Sequence, residues 1–154
     1  FTVIIGLLAG SVFMLCAERF HPDIRVNRVD RLSIWQCLQI GFFQVLSLWP
    51  GFSRSGSTIA GGLWLGVSRK AAADFSFIMA VPIMLIACTY DFLKIAGQLA
   101  WSDFLMFVIG FVTAFVVAYA SIVWFLKFLN KSSLASFAYY RIVIALIALW
   151  YFYL

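Results

Sequence analysis

Long apolar runs alternate with short polar loops along this chain, and the run lengths fall into two groups. Residues 71–93 and 104–126 are apolar stretches of 23 residues each, 135–154 is one of 20, and 1–17 is one of 17. As helices rising 1.5 Å per residue, the shortest reaches about 25 Å, just enough to cross a bilayer's hydrocarbon, and the others exceed it. All four read as membrane spans. Pro82 falls inside the 71–93 run; it is expected to kink that helix without ending it, because neighbouring helices can satisfy the freed carbonyl.

The segment 34–67 differs. Its apolar runs, 34–48 and 59–67, hold 15 and 9 residues, about 22 and 14 Å as helices, too short to span alone. Between them lies WPGFSRSGST, Trp49 to Thr58, in which Pro50, Gly51 and Gly56 break the helical pattern. The economical arrangement is a re-entrant hairpin that enters the membrane, turns near mid-depth and leaves on the side it came from. The expected fold is an all-α membrane protein: a polytopic helical bundle with a re-entrant helix–loop–helix hairpin, in a single transmembrane domain. Gly6 and Gly10, Gly62 and Gly66, and Gly110, Ala114 and Ala118 recur at intervals of four, a spacing that lets helix backbones approach closely in lipid.

Composition and charge sharpen this picture. The chain is 65% hydrophobic and only 11% charged, with a mean hydropathy of +1.04, far outside the range of soluble domains. Its net charge of +5 sits in short loops and forms no stripe, so nucleic acid is not an expected partner. Basic loops favour the cytoplasmic side. Arg19, Arg25, Arg28 and Arg31 precede the hairpin, and Arg69 and Lys70 follow it, so both of its ends are expected on that side. Lys94 then falls in an external loop, while Lys127 and Lys131 return to the inner one. The chain opens on Phe1 and an apolar run with no basic n-region and no cleavage site, so that run does not read as a signal peptide, and the chain reads as a piece of a longer protein. Cys16, Cys37 and Cys88 lie in separate apolar runs with no C-x-x-C and are expected as buried thiols, with no metal site among them.

Arg54 is the residue that asks for chemistry. An arginine at the bilayer centre costs roughly 2.5 to 3.5 kcal/mol on insertion scales and nearly always faces a polar cavity or a partner. No carboxylate in the loop neutralises it. The breaks at Pro50, Gly51 and Gly56 let the backbone turn, the second half-helix aims its N-terminal N–H groups at the loop, and Ser53, Ser55, Ser57 and Thr58 add hydroxyls. A guanidinium grips two phosphate oxygens at once. Together these residues describe a phosphate cradle, with Gln44 in the first half-helix placed to point into it. The competing reading is that the serines cap the second half-helix and Arg54 pairs with an acid from a part of the protein outside this chain. Asp74 reads as a first-turn acid paired with Lys70, Arg141 as a side chain snorkelling to the inner interface, and His21 as solvated.

The stretch QVLSLWPGFSRSGSTIAGGLWLGVSRKAAADFSFIMAVPIML, with P-G-x-S-R-S-G ahead of a Gly-rich half-helix and then S-R-K-x-A-A-x-F-S-F, resembles the undecaprenyl-pyrophosphate phosphatase family of bacterial inner membranes, known also for bacitracin resistance. The likeness covers essentially the whole chain and corresponds to the family's C-terminal part. It implies hydrolysis of a C55 polyprenyl pyrophosphate to the monophosphate, which recycles the lipid carrier of cell-wall synthesis. It implies an inverted repeat of which this chain is one half, with Arg54 gripping the pyrophosphate and Ser53 and Ser55 beside it; the residue pattern itself puts Gly51, Gly56, Ser57, Thr58 and Gln44 around the head group. A divalent cation, Mg²⁺ or Ca²⁺, is expected on acids of the N-terminal half. The expected partners are the polyprenyl lipid, the bilayer, that N-terminal half and a second copy of the protein. A lipid flippase or anion transporter could use the same broken-helix site. Phosphatases that work through a phosphohistidine need histidines after the Ser-Arg motif, and none follows His21.

Overall fold

The structure, a computed structural model, describes residues 1–98, 104–129 and 133–153. Six α-helices follow in order: α1 (Thr2–Phe20), α2 (Ile34–Gln44), α3 (Arg54–Trp64), α4 (Arg69–Ile95), α5 (Phe104–Leu129) and α6 (Leu134–Tyr153). Four of them, α1, α4, α5 and α6, are long and apolar enough to cross a membrane. Each is within a few residues of its apolar run, and most overshoot it, because the backbone ladder continues until a turn residue stops it. Thus α1 takes in Glu18 and Arg19 and ends at His21, which is extended (φ −72°, ψ 148°) ahead of Pro22, as a residue before proline prefers. Lys131 and Leu154 lie outside the described residues.

Two compact parts divide the chain, residues 1–77 with 129–154 and residues 78–128. In the second, α4 runs uninterrupted through Pro82. Lys94 belongs to the last turn of α4, over the Tyr90 ring at 4.1 Å, and Lys127 to the last turn of α5, so neither is in a loop as the charge pattern suggested. Residues 104–124 of α5 are all exposed and nothing lies within 4 Å of a Cβ built on Gly110. The spacing of Gly110, Ala114 and Ala118 therefore makes no close approach among the described residues; a helix apolar on every side suits lipid contact.

In the first part α3 is the centre. Every residue from Gly56 to Leu63 is buried, with α1 and α2 packed on it and α4 touching it where Gly62 meets Ala72. Phe13 of α1 joins Phe43 of α2, Phe52 of the turn and Trp64 of α3 in an aromatic cluster, its ring 4.9 Å from that of Trp64 in an edge contact. Gly6 and Gly10 of α1 lie where α1 meets more than a helix, although Gly10 also faces Arg141 of α6. They admit the turn of the hairpin: a Cβ on Gly6 would strike the Pro50 carbonyl oxygen, and one on Gly10 the Phe52 carbonyl oxygen. Gly66 is not helical at all; at φ +72° it turns the chain out of α3 in a conformation that costs glycine little.

The two ends of the α2–α3 hairpin are tied together. The N–H groups of Arg25 and Val26 donate to the Gly66 carbonyl at 2.7 and 3.1 Å, and the Ser68 N–H donates to Val26 at 2.8 Å. Arg69 at the start of α4 is bonded to Glu18 at the end of α1. The segments that flank the hairpin therefore meet each other. The turn reaches further along α1 than its middle: Gly56 lies against Met14, Phe52 against Gly10, and Gly51 against Val3. Gly66 and Arg69, by contrast, meet Asp23 and Glu18 at the opposite end.

Candidate functional site

The chain leaves α2 at Gln44 through a 3-10 turn, Val45–Leu48, in which the Ser47 hydroxyl donates to the Gln44 carbonyl at 2.7 Å. Pro50 and Gly51 then reverse the chain. Gly51 sits at φ +91°, and a Cβ there would strike the Val3 carbonyl oxygen, so only glycine fits. The Trp49 indole N–H fixes the approach by donating to the Thr2 carbonyl at 3.1 Å.

Ser53 is the one residue other than glycine with positive φ among the described residues, at +80°. That conformation costs of order 1 to 3 kcal/mol and persists only where the surroundings impose it. It makes Ser53 the N-cap of α3: its hydroxyl accepts from the Gly56 N–H at 3.2 Å and its carbonyl from the Ser57 N–H at 3.0 Å. The helix consequently begins at Arg54, five residues before the apolar pattern starts at Ile59, and Gly56 lies inside it and breaks nothing. Gly56 is instead a close-packing position, where a Cβ would strike the Met14 methyl.

Capping decides which hydroxyls remain free. Those of Ser57 and Thr58, both fully buried, donate to the Arg54 carbonyl at 2.9 and 3.1 Å, and that of Thr58 also lies 2.8 Å from the Ser76 hydroxyl on α4. Those two groups stiffen the first turn of α3 and pin it to α4. Ser53 accepts a bond but keeps its own hydrogen, and the Ser55 hydroxyl bonds to no protein group among the described residues. The side chain of Gln44 is half-buried at the end of α2, with no bond to the Arg54 turn.

Arg54 stands at the positive end of α3 with no carboxylate paired to it among the described residues. Its Nη1 is buried and has no hydrogen-bond partner. An orphaned buried donor on a cation costs more than one on a neutral group and calls for an anion. Beside the turn runs an apolar groove of about 730 Å³ lined by Ile5, Ala9, Val45, Leu48, Trp49 and Phe52 among others. Among the described residues no three His, Cys, Asp or Glu side chains come together.

The other polar residues moved from their expected places. Asp74 lies in the second turn of α4, half-buried, and makes no ion pair with the exposed Lys70; the helix starts at Arg69, and it is Arg69 that pairs with an acid, Glu18. His21 is half-exposed, with its Nδ1 2.8 Å from the Pro22 carbonyl. No cysteine is fully buried: Cys16 and Cys37 are partly so and Cys88 is exposed. Arg141 does not snorkel. It is 8% exposed and turned inward onto α1 and the turn. A charge inside a span was the signal that could have marked it.

Residues 1–147 match the bacitracin resistance protein BacA family. The chain belongs to that family. It is 47% identical over 147 residues to undecaprenyl-diphosphatase 1 of Bacillus cereus, a match covering 96% of this chain and 56% of the relative. It is also 47% identical over 145 residues to the undecaprenyl-diphosphatase of Exiguobacterium sibiricum, covering 94% and 52%. The chain thus spans about half the length of the curated relatives it matches. Its four long apolar helices make this BacA-family member a multi-pass membrane protein.

Proposed function

We propose that this chain is part of an integral membrane phosphatase of the bacterial inner membrane that hydrolyses undecaprenyl pyrophosphate to undecaprenyl phosphate. The observation that carries the reading is the unpartnered, buried Nη1 of Arg54 at the capped N-terminus of α3. Two oxygens of a terminal phosphate would satisfy the guanidinium, and the free hydrogens of Ser53 and Ser55 would meet a third. The N-terminal dipole of α3 favours the same negative charge. The apolar groove alongside would take the lipid's hydrocarbon. In the net reaction, water's oxygen joins the terminal phosphorus, the bridging P–O bond breaks, and lipid monophosphate and inorganic phosphate leave. Arg54 would stabilise charge gathering on the oxygens of the phosphate being transferred. A divalent cation would neutralise charge on the same head group; its ligands would come from residues preceding Phe1, in the other half of an inverted repeat.

The purified full-length protein, supplied with Mg²⁺ or Ca²⁺ and a C55 polyprenyl pyrophosphate in detergent, is expected to release one phosphate per lipid. No release above background would leave the flippase reading standing, because such a protein binds the same head group and leaves it intact.

The membrane placement has its own test. With the hairpin re-entrant and both its ends cytoplasmic, a cysteine introduced between Arg25 and Arg31 is expected to react with a membrane-impermeant maleimide in inverted vesicles only. Labelling of intact cells would reverse the topology.

A further inference from the structure

Arg141 is the one charged side chain that is buried among the described residues. A guanidinium withdrawn from water needs a carboxylate or a set of acceptors around it. Arg141 has acceptors only. Its Nη2 donates to the Gly51 carbonyl at 2.5 Å and lies 3.4 and 3.5 Å from the carbonyls of Gly6 and Leu7, while Nη1 lies 3.9 Å from the Met14 sulfur. Gly10 makes the room for it, since a Cβ there would stand 2.8 Å from Nη2. The short bond of the set goes to the turn, not to α1.

Gly51 lies two residues ahead of Ser53, in the same reversal. Its carbonyl, held by a charged donor, fixes the peptide plane that follows, and that plane sets where Ser53 and then Arg54 begin. The Phe52 N–H bond to the Trp49 carbonyl at 3.1 Å and the Phe13 ring against Phe52 also hold the turn, with the Trp49 bond to Thr2 before it and the Ser53 cap after it, while Arg141 supplies the bond to the Gly51 carbonyl. Joining α6 to α1 would not require a buried cation, because an apolar side chain of similar volume does that without desolvation.

We infer that Arg141 is a positioning residue for the phosphate site: by gripping the Gly51 carbonyl it keeps Ser53 in its left-handed conformation and Arg54 aimed at its ligand. The clamp on the turn stands on geometry alone; its consequence for turnover rests on the phosphatase reading.

Two readouts on the full-length protein separate these. In hydrogen–deuterium exchange, Arg141→Met is expected to speed exchange across residues 49–58 about tenfold or more while α2 keeps its protection. Arg141→Lys, which restores a charged donor to one carbonyl, is expected to fall between Met and the wild type, and it carries both readouts if the Met variant does not fold. Unchanged exchange across 49–58 overturns the clamp. In turnover, the loss caused by Arg141→Met is expected to be about 10- to 100-fold and to vanish in an Arg54→Met background, because Arg141 acts through Arg54. Losses that multiply would assign Arg141 to general stability and overturn the positioning role. If the wild type releases no phosphate, the phosphatase reading fails and the exchange result still decides the clamp.

Discussion

Arg54→Lys in the full-length protein is expected to lower kcat about 100-fold, the loss seen when one preorganised donor to a developing oxyanion is removed, with the thermal midpoint unchanged. Lysine keeps the charge and most of the side chain's reach, so a site that needed only a positive potential would tolerate it. What it loses is the planar pair of donors. The backbone around position 54 is braced independently of the guanidinium, since the Arg54 carbonyl takes the Ser57 and Thr58 hydroxyls, so α3 is expected to survive the change. Near-normal kcat/KM in a folded Arg54→Lys protein would remove Arg54 from the chemistry and return it to the pairing role with an acid from elsewhere.

Gly6→Ala is expected to destabilise the full-length protein by about 1 to 3 kcal/mol, toward the upper end. The added methyl meets the Pro50 carbonyl oxygen and stands 2.9 Å from the Trp49 ring. Backbone lies on both sides of that contact, so relief requires the turn to withdraw from α1, and the turn carries Arg54. Gly110→Ala on α5 is the control. Nothing lies within 4 Å of its Cβ, and alanine favours a helix by about 1 kcal/mol over glycine. A thermal melt in detergent showing equal shifts for the two variants would contradict the close seating of the turn on α1.

The hairpin was legible because apolar run length is a direct measure of reach, and runs of 15 and 9 residues are too short to cross alone. Run length does not report where a helix starts. The sequence suggests a loop through Thr58 because Gly56 looks like a breaker, yet Ser53 supplies the cap that draws Arg54, Ser55 and Gly56 into α3. Which hydroxyls face outward depends on that starting point, so Ser57 and Thr58 could not be told apart from Ser53 and Ser55 in advance. The glycine pair in α1 signalled that something approaches closely, but spacing is silent on whether the visitor is a helix or a turn. In sequence Arg141 looks like an interfacial residue because its partner lies 90 residues away, and no local pattern encodes such a contact.

Serine at position 53 holds a backbone shape that glycine would adopt more readily. A glycine there would ease the twist and delete the oxygen that receives the Gly56 N–H. Ease of the turn and capping of α3 thus pull this position in opposite directions, and the residue found is the one that keeps the cap.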